Sequence, residues 1–271
     1  MPAPSISWSA QTDVGRFRKN NEDAFIAIRI NAEGAERLGK EGHSHVGEHD
    51  FIFAVSDGMG GACSGEFASR ITVDRIIKLL PSSFKLAASG LNTGFSDVLA
   101  TLCDGIHQDI VDLGKSYEEC EGMGAALSLS WLTPEWLYFA HIGDSRIYHI
   151  PSDGSIQQIT QDHTHAGWLY REGKLNEREA RSHPRRSMLQ QALGGKNQFL
   201  DPHIGAVKHE PGDAFLICSD GLVDGLWNRR MEEQVRKFRG ETEPSRAQIL
   251  VEEAVRTNGR DNTTALLIYV D

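Results

Sequence analysis

Residues 51–61 read FIFAVSDGMGG, an apolar run that closes on Ser-Asp-Gly, and residues 215–221 read FLICSDG, the same ending more than a hundred residues later. One Asp-Gly is a common turn signal between strands. Two of them, each at the exit of a run apolar enough to be buried on both faces, aim carboxylates from matching strand ends. The runs carry the fold and the acids carry the chemistry.

Similar runs recur along the chain. SISWSA (5–10) alternates around Ile6, Trp8 and Ala10, and DAFIAIRI (23–30) follows. AALSLSWL (125–132), WLYFAHI (136–142), RIYHI (146–150), SIQQIT (155–160) and TTALLIYV (263–270) complete the set of strand-like stretches. Three helices stand among them. Residues 64–80 put Val73, Ile76, Ile77 and Leu80 on one stripe and stop at Pro81. Residues 94–113 align Phe95, Val98, Leu99, Leu102 and Ile106, and residues 245–257 open with Ser245 and Gln248 at capping-box spacing. Strands in excess, with helices inserted and appended, predict an α+β fold of two packed sheets with helices outside.

At 271 residues and 39% hydrophobic content, the chain suits one large domain with a substantial core. A formal net charge of −10 argues against nucleic acid and anionic membranes as partners. No stretch approaches the roughly 20 apolar residues of a membrane span, and MPAPSISWSAQTD lacks the regions of a signal peptide. Cys63, Cys103, Cys120 and Cys218 show no paired spacing, so neither a zinc site nor a disulfide framework is expected, and a reducing cytoplasm fits. Two segments stay polar. Residues 32–49 carry His43, His45 and His49 and read as a solvated hairpin loop in preference to a metal site. Residues 162–190 read as a small irregular subdomain, with Asn176 and Glu179 at capping-box spacing.

The acids at strand boundaries are Glu22, Asp23, Asp57, Asp144, Asp220 and Asp261. Any one of their motifs reads as a plain turn. Together they would repel one another and lose solvation, and a divalent cation removes both penalties. All-oxygen donors select a hard ion, Mg²⁺ or Mn²⁺. Gly58 lets its carbonyl approach such an ion without a Cβ in the way.

The ordered series Arg18-x-x-x-Glu22-Asp23, Asp-Gly-Met-Gly-Gly (57–61), Gly-Met-Gly (122–124), Gly-Asp-Ser-Arg (143–146), Thr-x-Asp-His (160–163), Ser-Asp-Gly (219–221) and Asp-Asn-Thr-Thr (261–264) resembles the bacterial branch of the type 2C metal-dependent Ser/Thr protein phosphatases. It spans essentially the whole chain. The resemblance implies a four-layer α-β-β-α sandwich, with two central antiparallel sheets and a flap at 164–190 inside one phosphatase domain (1–271). It implies two core Mn²⁺ or Mg²⁺ ions. Asp57 bridges them, Gly58 offers its carbonyl, Asp220 and Asp261 complete one shell, and Glu22 and Asp23 serve the other. Asp144 either shares a third, weaker ion with Asp220 or forms a structural pair with Arg146. A water activated between the ions attacks phosphorus in line, without a phosphoenzyme. Arg18 is the expected phosphate clamp, with a surface pair to Glu22 as the alternative. His163 is expected to cap or pack locally.

Two departures stand out: Met59 where some relatives carry His, and Ala125-Ala126 where the family often has Thr-Thr. The resulting expectation is a Mn/Mg-dependent phosphoserine/phosphothreonine protein phosphatase. It would be a cytoplasmic monomer acting on phosphorylated proteins of a bacterial Ser/Thr kinase. The competing reading is a catalytically weak phosphoprotein-binding scaffold of the same fold. Arg171, Lys174, Arg178, Arg181, Arg185 and Arg186 make the flap locally basic, either as a solvated helix face or as a docking surface for acidic segments.

Overall fold

Period-two alternation sorts the strand residues into two faces, and those faces account for the layers of the computed structural model. It describes residues 4–31, 33–47, 49–60, 64–88 (the backbone alone from 81), 94–195, 199–237 and 244–271. Gly61 and Cys63 therefore lie outside the described residues.

In chain order the first strands are β1 (Ser5–Asp13), β2 (Asp23–Ile30), β3 (Ala35–Arg37), β4 (Glu41–His45) and β5 (Asp50–Met59). Helices α1 (Ser64–Ala88) and α2 (Phe95–Ser116) precede β6 (Gly124–Leu132), β7 (Trp136–Ile142), β8 (Arg146–Ile150) and β9 (Gln157–Gln158). Short helices α3 (His165–Arg171) and α4 (Glu177–Ser182) lead to β10 (Leu193–Gly194), β11 (His203–Lys208) and β12 (Ala214–Cys218). Helices α5 (Asp220–Gly225), α6 (Asn228–Lys237) and α7 (Arg246–Thr257) come before the last strand, β13 (Thr263–Val270). One sheet runs β4-β1-β13-β12-β8-β9 and the other β11-β7-β6-β5-β2-β3, with β10 on β6. The pairings are antiparallel throughout.

Three apolar clusters define the four layers. Ile6, Trp8, Phe51, Phe53, Val55, Phe215, Ile217, Leu266 and Ile268 fill the space between the sheets. On the outer face of one sheet Ile26, Ile28, Ile52 and Leu127 pack beneath α1 and α2, through Ile76, Leu80, Leu99 and Ile106. On the other, Leu216, Leu267 and Tyr269 pack beneath α5, α6 and α7, through Leu222, Met231, Leu250 and Ala254. This is the expected α-β-β-α sandwich.

Several local expectations are corrected. Helix α1 runs through Pro81 to Ala88. A proline removes one intrahelical hydrogen bond, and here a long helix absorbs that loss. SIQQIT forms a strand only at Gln157–Gln158. The polar stretch 32–49 is more than a loop: β3 extends the edge of one sheet on β2, and β4 extends the other on β1. His43 and His45 lie on exposed positions of β4, and no metal-binding group of three side chains exists among the described residues. At α7, Ser245 Oγ accepts from the Gln248 N–H, but the Gln248 side chain turns forward to Glu252, so the capping box has one arm. The box at Asn176 and Glu179 has both.

Candidate metal centre

The acids gather where the inter-sheet apolar packing ends. Phe51, Phe53 and Val55 face the inner layer, and alternation carries Asp57 to the same side two residues later. Asp23 pairs with Asp57 across β2 and β5. Ser219 and Thr264 arrive from the opposite sheet, Ser219 two positions after the inner-face residue Ile217 and Thr264 two positions before Leu266. Both donate to Asp23 Oδ2 at 2.7 Å. Asp23 is 8% exposed, and its other oxygen, Oδ1, is buried with no hydrogen-bond partner.

Two backbones meet closely around this point. A Cβ on Gly58 would lie 1.9 Å from the Gly65 carbonyl oxygen at the start of α1, so only glycine fits. Its N–H donates to the Glu22 carbonyl at 3.0 Å. Asn262 ties the other edge: its Oδ1 accepts from the Glu22 N–H, and its Nδ2 donates to the Val14 and Asn20 carbonyls. Asp220 opens α5, where the helix N-terminus favours a negative charge.

That favour is outweighed. Burial, then Asp144, Asp261 and other acids, push the Asp220 carboxyl well above the usual carboxylate range. Burial followed by Asp23, Asp220, Asp144 and Asp261 does the same to Asp57. Asp23 is pushed up to about 6, chiefly by burial, against the pull of its two hydroxyl donors. Burial raises Asp144 to about 7, with Asp162 adding to the rise. Glu22 is raised as well, by burial first.

Among the described residues no three of these side chains converge into a closed cage. The fit to divalent cations rests on the state of the oxygens: an orphaned buried Asp23 Oδ1, and Asp57 and Asp220 surrounded by further carboxylates. A hard cation satisfies both conditions.

Arg18 stands at the rim, its side chain 47% exposed, with Nη2 2.7 Å from Asp261 Oδ2 and Nη1 3.8 Å from Glu22 Oε2. Its main partner is thus Asp261, not the Glu22 of the surface-pair alternative. The Asp144–Arg146 pair, the alternative to a third ion, does not form either. Arg146 forks onto Asp162, at 3.0 Å from Nε to Oδ1 and 2.6 Å from Nη2 to Oδ2, and donates to the Tyr148 hydroxyl. His163 packs locally, its Nδ1 accepting from the Gly143 N–H.

A cavity of about 470 Å³ opens from Asp144 and Asp220 towards α3 and α4. Three of the flap's basic residues are struts within this region. Arg171 donates to the Asp162 carbonyl, Arg186 forks onto Asp224, and Arg181 donates to the Val223 and Leu226 carbonyls with its guanidinium 4.0 Å from the Trp227 ring centre. Lys174 sits over Trp168 at 4.3 Å. The docking reading therefore keeps only Arg178 and Arg185 as exposed cations without such a role. Sequence reasoning assigned no part to Asn262, Ser219 or Thr264, although all three lie inside the quoted motifs.

Residues 40–257 match the model of the family described as Protein phosphatase 2C. The chain belongs to the protein phosphatase 2C family. The matched span contains Asp57, Asp144 and Asp220 and stops short of Glu22, Asp23 and Asp261 on either side. Those are reached by longer alignments. The serine/threonine phosphatase stp of Listeria innocua is 30% identical over 263 residues, covering 95% of this chain and 93% of that protein. The serine/threonine protein phosphatase PstP of Mycobacterium tuberculosis is 31% identical over 98% of this chain, which spans 45% of PstP. Among solved structures, the M. tuberculosis phosphatase PstP/Ppp superposes with a TM-score of 0.77 at 28% identity, over 98% of this chain and 99% of that one. The PstP catalytic domain in complex with two manganese ions gives 0.72 at 28% identity, over 98% and 99%. This family member shares their two-sheet architecture.

Proposed function

We propose that this chain is a Mn²⁺- or Mg²⁺-dependent phosphoserine/phosphothreonine protein phosphatase. The observation that carries the reading is the buried carboxylate group around Asp57 with its unpartnered Asp23 Oδ1, set in a protein phosphatase 2C fold. Glu22, Asp23, Asp57, Asp220 and Asp261, with the Gly58 carbonyl, would hold two core ions. Asp144 together with Asp220 would hold a third. Bound there, the ions would supply Lewis acidity towards phosphate oxygens and an acidified water as nucleophile.

The chain's own residues do the rest. Ser219 and Thr264 orient Asp23 through its Oδ2. Asn262 fixes the Glu22 backbone. Arg18 is the phosphate clamp: its planar fork suits two phosphate oxygens, and its contact with Asp261 brings it to the site. A phosphate monoester would draw it off an exposed pair, whose own strength is small. Met59 has no proton to give, so it supplies no general acid for the leaving alkoxide.

The chain forms one phosphatase domain, with 164–190 as a flap beside the site. Its substrates are phosphoproteins, and the bacterial relatives support substrates of a bacterial Ser/Thr kinase. We place it in the cytoplasm as a monomer; among the described residues no helix is long and apolar enough to cross a membrane. Hydrolysis of p-nitrophenyl phosphate and a phosphothreonine peptide, with Mn²⁺ and then with EDTA, tests the reading. Turnover with Mn²⁺ that EDTA abolishes supports it, and tight phosphopeptide binding without turnover would leave the scaffold reading.

A further inference from the structure

Between the sheets, the inner layer turns from apolar to polar before it reaches the acids. On β6 alternation sends Leu132, Ser130 and Ser128 inward, and on β7 it sends Leu137, Phe139 and His141. Ser128, His141 and Ser145 are all 0% exposed. Buried polar groups cost stability unless every partner is made, and here they are.

The atoms fix the direction of each hydrogen bond. His141 Nε2 lies 3.0 Å from the Gly143 carbonyl oxygen, an acceptor, so Nε2 carries the proton and Nδ1 is bare. Ser128 Oγ, 2.9 Å from Nδ1, must donate to it. Ser145 Oγ, 2.9 Å from Ser128 Oγ, then donates to Ser128. On the other side of the same residue, the Gly143 N–H donates to His163 Nδ1 at 3.2 Å, and the His163 backbone N–H donates to the Gly143 carbonyl at 2.7 Å. Both polar atoms of Gly143 are thus held by the two histidines. Burial lowers His141 to about 3 and His163 to about 4, which keeps both rings neutral, as these bonds need.

Gly143 itself has φ +104°, and a Cβ there would lie 2.4 Å from the Ala126 Cβ. Asp144 is therefore bracketed by two anchors, the doubly held Gly143 backbone before it and the Ser145 hydroxyl after it. For stability alone, an apolar set of the same shape would serve as well. A relay ending on the peptide next to a carboxylate has a different use.

We propose that Ser145, Ser128, His141 and His163 clamp the Gly143 peptide and so aim Asp144 at the metal centre, which makes the two histidines positioning residues for metal binding. The inference rests on the reading of Asp144 as a metal ligand, and the experiment separates the two. Wild type, Asp144→Asn, His141→Leu, His141→Gln and the double variant Asp144→Asn/His141→Leu are titrated with Mn²⁺. Free ion is followed by electron paramagnetic resonance without substrate, and the half-saturating Mn²⁺ concentration and kcat with p-nitrophenyl phosphate are measured in parallel.

Loss of an orienting partner around a metal ligand weakens metal binding by about tenfold or more. His141→Leu should shift the weaker binding phase by that factor. His141→Gln, which keeps a donor near the Nε2 position, should restore most of it, and the double variant should be no weaker than Asp144→Asn alone. If Asp144→Asn shifts the titration and His141→Leu does not, the clamp is overturned and the ligand reading stands. If Asp144→Asn itself leaves the titration unchanged, both fall. Should His141→Leu fail to fold by circular dichroism, Ser145→Ala, which removes only the first donor of the relay, takes its place: a weakened second phase supports the clamp, and an unchanged one overturns it.

Discussion

Ser56-Asp57-Gly58 and Ser219-Asp220-Gly221 are spelled alike and built differently. The first stays inside a strand: β5 runs on to Met59, and Gly58 still pairs with Ala125 of β6. The second ends β12 and begins a helix, with Asp220 in the first turn of α5. The glycines serve the same need, since a Cβ would lie 1.9 Å from the Gly65 carbonyl oxygen in one case and 2.0 Å from that of Asn262 in the other. The serines do not. Ser56 Oγ donates to the Ala126 carbonyl within its own sheet, whereas Ser219 Oγ crosses between sheets to Asp23. One tripeptide, fed by different strands, places its carboxylate by two routes, and burial among other acids raises both carboxyls.

If both carboxylates serve one centre, their removal should be equally damaging. Asp57→Asn and Asp220→Asn should each abolish Mn²⁺-dependent turnover. A variant keeping more than about a tenth of wild-type kcat, a loss under about 1.4 kcal/mol, would exclude its aspartate from the centre. Steady-state assays on p-nitrophenyl phosphate decide this, and unequal losses would break the symmetry of the comparison.

Arg18 sharpens the picture from the Asp261 side. Arg18→Ala should raise KM and lower kcat, with about 2–3 kcal/mol lost from kcat/KM if its fork holds transferring oxygens. An unchanged kcat/KM would leave it as the exposed partner of Asp261.

Metal binding should also appear as stability. At about 100 times its dissociation constant, one ion adds roughly 2.7 kcal/mol. Thermal melts in EDTA and across a Mn²⁺ titration should show this gain in wild type and a smaller one in Asp220→Asn. In EDTA the variant should be as stable as wild type or more so, because a buried, repelled carboxylate has gone. Equal Mn²⁺-induced shifts in both proteins would remove Asp220 from the site.

Much of this arrangement is legible in the amino-acid sequence. Alternation in SISWSA and the continuous runs FIFAVS and TTALLIYV announce the sheets, because burial on one or both faces is written directly in side-chain polarity. The acids are legible because carboxylates crowded at strand ends repel one another, which an ordinary turn does not require. Helices α5 and α6 are not: α5 has six residues, too few for a 3.6-residue period to show, and α6 is strongly polar, with only Met231, Gln234 and Val235 buried. The edge strands β3 and β4 escape for a related reason, since edge positions place few apolar demands on sequence. The partners of the acids depend on contacts such as Thr264 to Asp23, 241 residues apart, which no local pattern encodes.

The smallest expected effect tests the serines. Ser56→Ala removes one donor from a carbonyl that belongs to a strand ladder, and should cost about 0.5–1.5 kcal/mol of stability. Ser219→Ala does more, because Ser219 Oγ also accepts from the Thr264 N–H at 3.0 Å. That buried donor would be left unsatisfied, at about 1–3 kcal/mol. The two variants should differ more clearly in their response to metal. Ser219 is one of two hydroxyls orienting Asp23 Oδ2, so its loss should raise the half-saturating Mn²⁺ concentration. Ser56 touches no acid through its hydroxyl and should leave that concentration where it is. Urea unfolding with and without Mn²⁺, paired with a Mn²⁺ activation curve, reads both quantities. Parallel responses from the two serines would mean that Ser219 is only a packing residue, and that the route from β12 to the centre runs through Asp220 alone.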